Sequence, residues 1–129
     1  MRLLLIALLW LSTTTAMSIQ LEPIQRGGTV ETVIRLQFDQ AGDVHLTVLT
    51  DPFLFTIALE RDGGTCSIHT CDFAVQANAT VVLTATATIE RAGEHSIGVV
   101  VVAPDMETRY ESVAFVTTNL LYLPLLVKP

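Results

Sequence analysis

Short segments of alternating apolar and polar residues, each ended by turn residues, constrain the fold of this chain more than any other feature. The clearest is Thr80–Glu90, in which one face holds Val81, Leu83, Ala85, Ala87 and Ile89. Residues two apart lie on the same side of an extended strand, so this period predicts a strand with one face in a core. Threonine recurs on the opposite face, because a β-branched but polar side chain suits a solvated sheet surface.

Three further segments show the same period. Apolar residues occupy positions 30, 34, 36 and 38 of Thr29–Asp39, and Val44, Leu46 and Val48 alternate with polar residues after the turn Asp39–Asp43. In the next segment we expect one face to hold Phe53, Phe55, Ile57 and Leu59, and the other Leu54, Thr56, Ala58 and Glu60. In Tyr110–Thr117 one face holds Tyr110, Ala114 and Val116, and the other Val113 and Phe115. These segments predict half-buried strands.

Two segments depart from alternation. Ser96–Ala103 is a nearly continuous apolar run, which predicts a central strand buried on both faces. Ile19–Ile24 predicts an edge strand closed by Pro23. Turn clusters separate the segments about every ten residues, without helical periods between them. We therefore predict an all-β fold of seven or eight strands, an Ig-like antiparallel β-sandwich over residues 19–119.

The N-terminus has the outline of a secretory signal peptide. Arg2 precedes the apolar run Leu3–Leu11, and Ala16-Met17-Ser18 supplies small residues three positions and one position before a cut after Ser18. A cut after Ala16, with Thr14 three positions before it, fits nearly as well. A membrane-spanning helix needs about 20 apolar residues, so this shorter run predicts a cleaved leader over residues 1–18, no membrane span afterwards, and a secreted or cell-surface protein.

The charge excludes two classes of partner. Arg2 leaves with the leader, which changes the formal charge from −6 to −7. Nucleic acids and anionic membrane surfaces select for clustered Lys and Arg, so neither is expected to bind. The acidic residues are scattered singly along the chain, which indicates solubility and not a binding tail.

Cys66 and Cys71 are the two cysteines of the chain. In an exported protein an even number of cysteines favours a disulfide, and closing so short a loop contributes roughly 2 kcal/mol. A metal site would add His69 and Asp72, but structural zinc sites normally join two separated segments. A redox pair is disfavoured by the spacing of four intervening residues. We predict the disulfide.

The sequence contains no recognisable catalytic constellation. His45 and His95 fall where solvated strand positions are expected, and the chain has no Gly-x-Ser-x-Gly motif. Asp39 and Asp43 share a turn but fall short of the roughly six to eight oxygens that calcium prefers. Asn78-Ala-Thr80 matches a glycosylation acceptor in a predicted turn. We expect no enzyme, no cofactor and no bound metal.

The segment from Gly64 to Thr88 carries a family resemblance. It reads Gly-Thr-Cys, a second cysteine, a turn, then a Thr- and Val-rich strand, and Gly93 lies in the turn that follows. This pattern resembles the bacterial conserved-repeat domain, the Ig-like "domain of unknown function 11", over roughly Gly27–Asn119. The turn Asp39–Asp43 departs from the Asn-Thr-Gly turn usual in that family. The resemblance implies an extracellular sandwich module, often repeated in tandem, with structural or adhesive roles and no established catalytic residues.

The last ten residues, 120–129, form an apolar tail that contains Leu120, Leu121, Tyr122, Leu123, Pro124, Leu125, Leu126 and Val127. Pro124 prevents a continuous ladder of strand hydrogen bonds, and the segment is too short to span a bilayer. Its Tyr-Leu-Pro-Leu sequence is similar to the tails of many secreted bacterial repeat proteins. Two interpretations stay open at this point: a sorting or docking tail, and a last edge strand packed on its own domain.

These observations favour an Ig-like module with a structural, adhesive or accessory-subunit role, whose partners are other envelope or extracellular proteins. The alternative is an extracellular binding domain for a carbohydrate or other small ligand. Sugar sites commonly use exposed aromatic platforms, but this chain has five Phe and two Tyr, and we expect most of them in the core.

Overall fold

The computed structural model describes residues 17–61, 65–103 and 106–118, and those ranges contain nine β-strands. The strands are β1 (Met17–Arg26), β2 (Thr29–Phe38), β3 (Gly42–Thr50), β4 (Leu54–Arg61), β5 (Thr65–Cys66), β6 (Thr70–Val75), β7 (Thr80–Ile89), β8 (Gly93–Val102) and β9 (Arg109–Thr117). Within the described residues there is no helix. The prediction of an all-β chain is confirmed, and the two-residue strand β5 accounts for the count above eight.

The strands form two antiparallel sheets packed face to face. One sheet has the order β1-β2-β7-β4 and the other the order β5-β6-β3-β8-β9. The hairpins β1–β2, β5–β6 and β8–β9 stay within one sheet, whereas the connection from β3 to β4 crosses between the sheets. Apolar residues of both inner faces fill the space between the sheets, which is the packing of a β-sandwich. The predicted sandwich architecture is therefore confirmed.

The two middle strands of the four-stranded sheet follow the predicted alternation. In β7 four residues of the predicted inner face are buried, with Leu83 and Ala85 fully inaccessible, and Ile89 at the end of the strand is half-buried. In β2 the inner face holds Val30, Ile34, Leu36 and Phe38, and it also buries Thr32. The register places Ile34 opposite Leu83. One face of each strand contacts the core along its whole length, so buried and more exposed residues alternate as the sequence predicts.

Strand β4 corrects the sequence prediction. Phe55 and Ile57 were predicted to share a face with Leu59, but they are exposed, whereas Leu54 and Leu59 are buried. The register against β7 shifts between Thr56 and Ala58, which is a β-bulge at Ile57. A bulge adds one residue to a strand, so the residues before it point to the face opposite to that predicted by a strict period of two.

Strand β8 is central in its sheet, as predicted, but only one of its faces is covered. Ile97, Val99 and Val101 face the core, whereas Val102 on the outer face is 43% exposed. The expectation of burial on both faces was wrong for this outer face. A continuous apolar run fits either a strand buried on both faces or a strand with an apolar solvent face, and composition does not distinguish them.

Strand β1 lies at the edge of its sheet and is longer than predicted. It continues past Pro23 to Arg26, paired with β2 along its full length. Proline has no N–H group to donate, and an edge strand has one side without a neighbouring strand, so Pro23 is tolerated there. The hairpin to β2 turns at Gly27, whose φ of 62° is accessible to glycine at little steric cost.

Candidate functional site

One end of the sandwich holds a buried histidine paired with an aspartate. His95 lies near the start of β8 and points into the core, and Asp51 directly follows β3. The Nδ1 atom of His95 lies 3.1 and 3.2 Å from the two carboxylate oxygens of Asp51. The side chain of His95 is 1% exposed and that of Asp51 is 18% exposed. The pair therefore joins a crossover loop to a central strand away from bulk water.

The Asp51 carboxylate also accepts two backbone hydrogen bonds. The N–H of Phe53 donates to Oδ1 at 2.9 Å, and the N–H of Ser96 donates to Oδ2 at 2.8 Å. The backbone N–H of Asp51 donates to the carbonyl of Ser96 at 3.3 Å. Asp51 thus fixes both the turn into β4 and the start of β8, which is where the chain passes from one sheet to the other.

These contacts determine the acidity of Asp51. Burial acts to raise the pKa of the carboxyl group, but the hydrogen bonds from Ser96, Phe53 and His95 and the charge of His95 outweigh it. The pKa of Asp51 is therefore lowered below its ordinary value of 3.8. The surroundings of Asp51 therefore stabilise its carboxylate form.

The second ring nitrogen of His95 is also occupied. Nε2 lies 2.7 Å from the carbonyl oxygen of Arg91, which can only accept a hydrogen bond. Both ring nitrogens thus lie within hydrogen-bond distance of acceptor oxygens. A triad histidine must leave Nε2 free to take a proton from the nucleophile, so this histidine has the geometry of a structural tether.

The placement of His95 corrects the prediction of a solvated histidine. It shares the inner face of β8 with Ile97, Val99 and Val101, and its ring centroid lies 6.0 Å from that of Phe115. The sequence contains a signal for the inward direction of His95. The residues of β8 that face the core have odd numbers, and residue 95 belongs to the same set. This alternation could not be recognised in the sequence, because both faces of the strand are apolar.

A second His–Asp pair has the opposite surroundings. The Nδ1 atom of His45 lies 2.6 Å from Oδ1 of Asp72 on the outer face of the five-stranded sheet. Their side chains are 48% and 75% exposed, so water competes with this contact. The prediction that His45 is solvated is confirmed. The two pairs share their chemistry and differ in burial.

The disulfide between Cys66 and Cys71 is confirmed, and it closes the β5–β6 hairpin. Cys71 is fully buried in the core. The two sulfur atoms are bonded to each other, so neither supplies the thiolate that a nucleophile or a metal site requires. Ser67 and Thr70 stabilise the hairpin turn, with Oγ of Ser67 2.7 Å from Oγ1 of Thr70.

Three large apolar side chains precede or lie on β4 and point outward. We call Phe53, Phe55 and Ile57 the β4 strip; they are 38%, 55% and 52% exposed. The guanidinium carbon of Arg91 lies 4.4 Å from the ring centroid of Phe53, which is the geometry of a cation–π contact. The expectation that most aromatic residues lie in the core was wrong for these two phenylalanines, because the bulge reverses their direction.

A second apolar surface lies on the outside of the five-stranded sheet. We define the outer apolar face as Leu49, Val100, Val102 and Tyr110, contributed by β3, β8 and β9. Leu49, Val102 and Tyr110 are 44%, 43% and 59% exposed. The ring of Tyr110 covers Gly98, where a Cβ atom would come within 3.2 Å of the ring. The absence of a side chain at Gly98 therefore leaves room for the tyrosine ring against β8.

Charge is absent from the middle of this surface. The register places Val100 between Thr47 and Tyr110, and Gly98 between Leu49 and Ser112. None of these side chains carries a formal charge, and the His45–Asp72 pair lies at the border. Sequence reasoning identified the apolar run of β8 but assigned this face to the interior, so it missed the exposed surface.

Other predicted features are placed as follows. The proposed docking tail, residues 120–129, and the leader up to residue 16 lie outside the described residues. Asn78 is exposed in the turn between β6 and β7, with a φ of 62°. In the described part of the chain no group of three or more His, Cys, Asp or Glu side chains could hold a metal ion. A helix long and apolar enough to cross a bilayer is likewise not found in the described ranges.

Comparison with known proteins supports the fold. No family model and no curated protein matches the chain. A FixG-related protein from Vibrio parahaemolyticus is structurally similar, with a TM-score of 0.56, 8% identity, and coverage of 80% of this chain and 97% of that one. A conjugative transposon lipoprotein from Bacteroides eggerthii gives a TM-score of 0.49 at 18% identity, covering 78% and 97% of the two chains. At 8% identity the similarity to the FixG-related protein shows the β-sandwich fold alone and nothing about activity.

Proposed function

We propose that this protein is a small extracytoplasmic Ig-like module that acts through protein contact, as a structural, adhesive or accessory subunit. The observation that carries the proposal is the outer apolar face on β3, β8 and β9. Exposed contiguous apolar surface reduces solubility unless a partner covers it, so such surfaces mark interaction sites. The resemblance to the bacterial conserved-repeat family supports the same role.

The chemistry of the outer apolar face supports an uncharged, apolar partner surface. Its central rows hold Val100, Leu49 and Tyr110 without a formal charge, whereas the chain as a whole is acidic. Charged ligands and basic surfaces therefore gain nothing at this position. The flat surface of valines and a tyrosine matches the packing of a sheet against another apolar layer. The partner that fits is an envelope protein that presents an uncharged apolar surface.

The covalent chemistry supports an extracytoplasmic compartment. Disulfides form and persist outside the cytoplasm and are rare within it. The Cys66–Cys71 bond and the leader-like N-terminus both support export. A catalytic role is not proposed, because both ring nitrogens of the buried His95 hold the fold together and both cysteine sulfurs are bonded to each other.

Substitutions on the outer apolar face test the proposal. Val102→Glu and Tyr110→Glu place a carboxylate in the surface, and Gln20→Glu makes the same change at an exposed position of the other sheet. Envelope pull-downs with each purified protein should show partner recovery reduced at least tenfold for the first two and unchanged for Gln20→Glu. Thermal melts monitor the fold of each variant. Equal recovery with all three would refute contact through this face.

The tail is included in the proposed contact function. We propose that residues 120–129 bind another molecule more than they stabilise their own domain, because an apolar terminus is costly to solubility unless it is covered. A chain truncated after Asn119 should keep its thermal midpoint and lose envelope association. A large fall in the midpoint with association unchanged would instead identify the tail as a closing strand.

The β4 strip favours a second candidate, binding of a carbohydrate. Phe53 and Phe55 lie two residues apart with exposed rings, and aromatic faces stack on sugar rings. Co-sedimentation with insoluble cellulose or peptidoglycan would test this function. Phe55→Ala should abolish the binding while Tyr110→Glu leaves it intact. Absence of any binding by the unmodified protein would exclude these two ligands.

A further inference from the structure

Strand β1 identifies where the leader is removed. Two cuts fit the small-residue rule, one after Ser18 and one after Ala16. The two products differ only in whether the mature chain keeps Met17 and Ser18. We propose that the leader is cleaved between Ala16 and Met17, an inference that rests on the proposed export of the chain.

Met17 is a core residue of the folded domain. Its side chain is 3% exposed and belongs to the main hydrophobic cluster. It is the first residue of β1 and lies opposite Phe38, which is itself fully buried at the end of β2. Removal of Met17 would leave a gap beside Phe38, and a buried gap is destabilising because its lining atoms lose contacts that nothing replaces.

The backbone of Met17 also ties the two sheets together. Its carbonyl oxygen accepts a hydrogen bond from Nη1 of Arg109 at 3.0 Å. Arg109 is the first residue of β9, which lies at the edge of the other sheet. A cut after Ser18 would delete this acceptor and the first two paired positions of β1. A cut after Ala16 keeps both the side chain and the carbonyl.

The residues before each cut agree with this choice. Cleavage after Ala16 uses Thr14 and Ala16 at the two positions that require small side chains, and cleavage after Ser18 uses Ala16 and Ser18. The first set departs from alanine three positions before the cut and the second departs from it directly before the cut, so the small-residue rule permits both. The leader rule thus permits both bonds, and the folded domain selects the bond between Ala16 and Met17.

The full chain, expressed with its own leader and recovered from the envelope fraction of a bacterial host, provides the test. Intact-mass measurement should give a mature N-terminus at Met17. An N-terminus at Ile19 would overturn this inference and leave export standing. Recovery of the chain starting at Met1 would overturn both the inference and the proposed export.

Two matched leader variants distinguish the bonds. Thr14→Phe places a large side chain in the recognition position of the first cut only, and Ser18→Phe does so for the second cut only. Thr14→Phe should block release of the Met17 form, whereas Ser18→Phe should still be cut before Met17. The opposite pattern would refute the assignment.

A stability readout separates folding from recognition by the peptidase. Met17→Ala in the full exported chain should lower the thermal midpoint by about 5 °C or more, because a core side chain is truncated. Ser18→Ala, at the adjacent exposed position, should leave the midpoint unchanged. Equal midpoints for the two variants would show that the domain does not depend on Met17 and would overturn the structural argument.

Discussion

The buried His95–Asp51 pair gives the sharpest test of how this sandwich is held together. Asp51→Ala removes the acceptor of a ring nitrogen that is 1% exposed and of the backbone N–H groups of Phe53 and Ser96. Asp72→Ala removes the acceptor of His45, whose side chain is 48% exposed. The exposed contact is the shorter of the two, 2.6 Å against 3.1 Å. If contact distance governs stability, Asp72→Ala should destabilise the domain more; if burial governs it, Asp51→Ala should.

Burial determines the expected magnitudes. Each buried donor that loses its acceptor costs about 1–3 kcal/mol, and Asp51→Ala leaves the ring nitrogen of His95 and the N–H groups of Phe53 and Ser96 without theirs. Asp51 is 18% exposed, so water can reach part of the gap, and we expect a total loss of about 3 kcal/mol. An exposed pair contributes about 0–1 kcal/mol, since each ion regains water when the contact breaks.

Urea unfolding of the purified variants measures both effects. A loss of 3 kcal/mol in Asp51→Ala should lower the midpoint by about 1–3 M urea for a domain of this size. The Asp72→Ala midpoint should stay close to that of the unmodified protein. If Asp72→Ala destabilises the domain as much as Asp51→Ala, contact distance and not burial governs these pairs, and the structural role given to His95 is wrong.

Three further outcomes are expected. The pKa of Asp51 is lowered on folding, so its contribution to stability is present above pH 3.8 and is lost as the pH falls through the folded value; acid melts of Asp51→Asn should lack that loss. Leu83→Ala should cost about 2–5 kcal/mol and Thr84→Ala less than about 1 kcal/mol, and denaturant melts in the reverse order would mean a register error of one residue in β7. Leu54→Ala should destabilise the domain by about 2–4 kcal/mol and Phe55→Ala by less than about 1 kcal/mol, whereas a strand without the bulge would give the opposite order in the same melts.

Sequence periodicity predicted strands whose two faces differ in polarity along their whole length. In β7 the inner residues Leu83 and Ala85 alternate with threonines, so a shift by one residue would bury hydroxyl groups and expose the core. Strand β4 could not be predicted in the same way. Phe55 and Leu54 are both apolar, so either face could be the inner one, and a bulge at Ile57 leaves no mark in composition.

The buried pair lay beyond sequence reasoning for a different reason. Asp51 and His95 are 44 residues apart, and they meet only because β3 and β8 are neighbours in one sheet. Each residue alone is typical of a surface, since charged groups are rarely buried without a partner. The partner becomes visible only when the register Thr50–Ile97 is known, because that pairing brings the residue after β3 beside the start of β8.

The side chains of β8 that stabilise the fold differ from those proposed to contact a partner, because they lie on opposite faces of the strand. Inward residues such as Ile97 and Val99 fill the core, and His95 ties the strand to the crossover loop. Outward residues such as Val102 lie in the outer apolar face and have no role in that packing. Because neighbouring residues point to opposite faces, a change at an outward position can alter binding without weakening the core. The outer apolar face can therefore serve the contact proposed above without any loss of the packing that secures the fold.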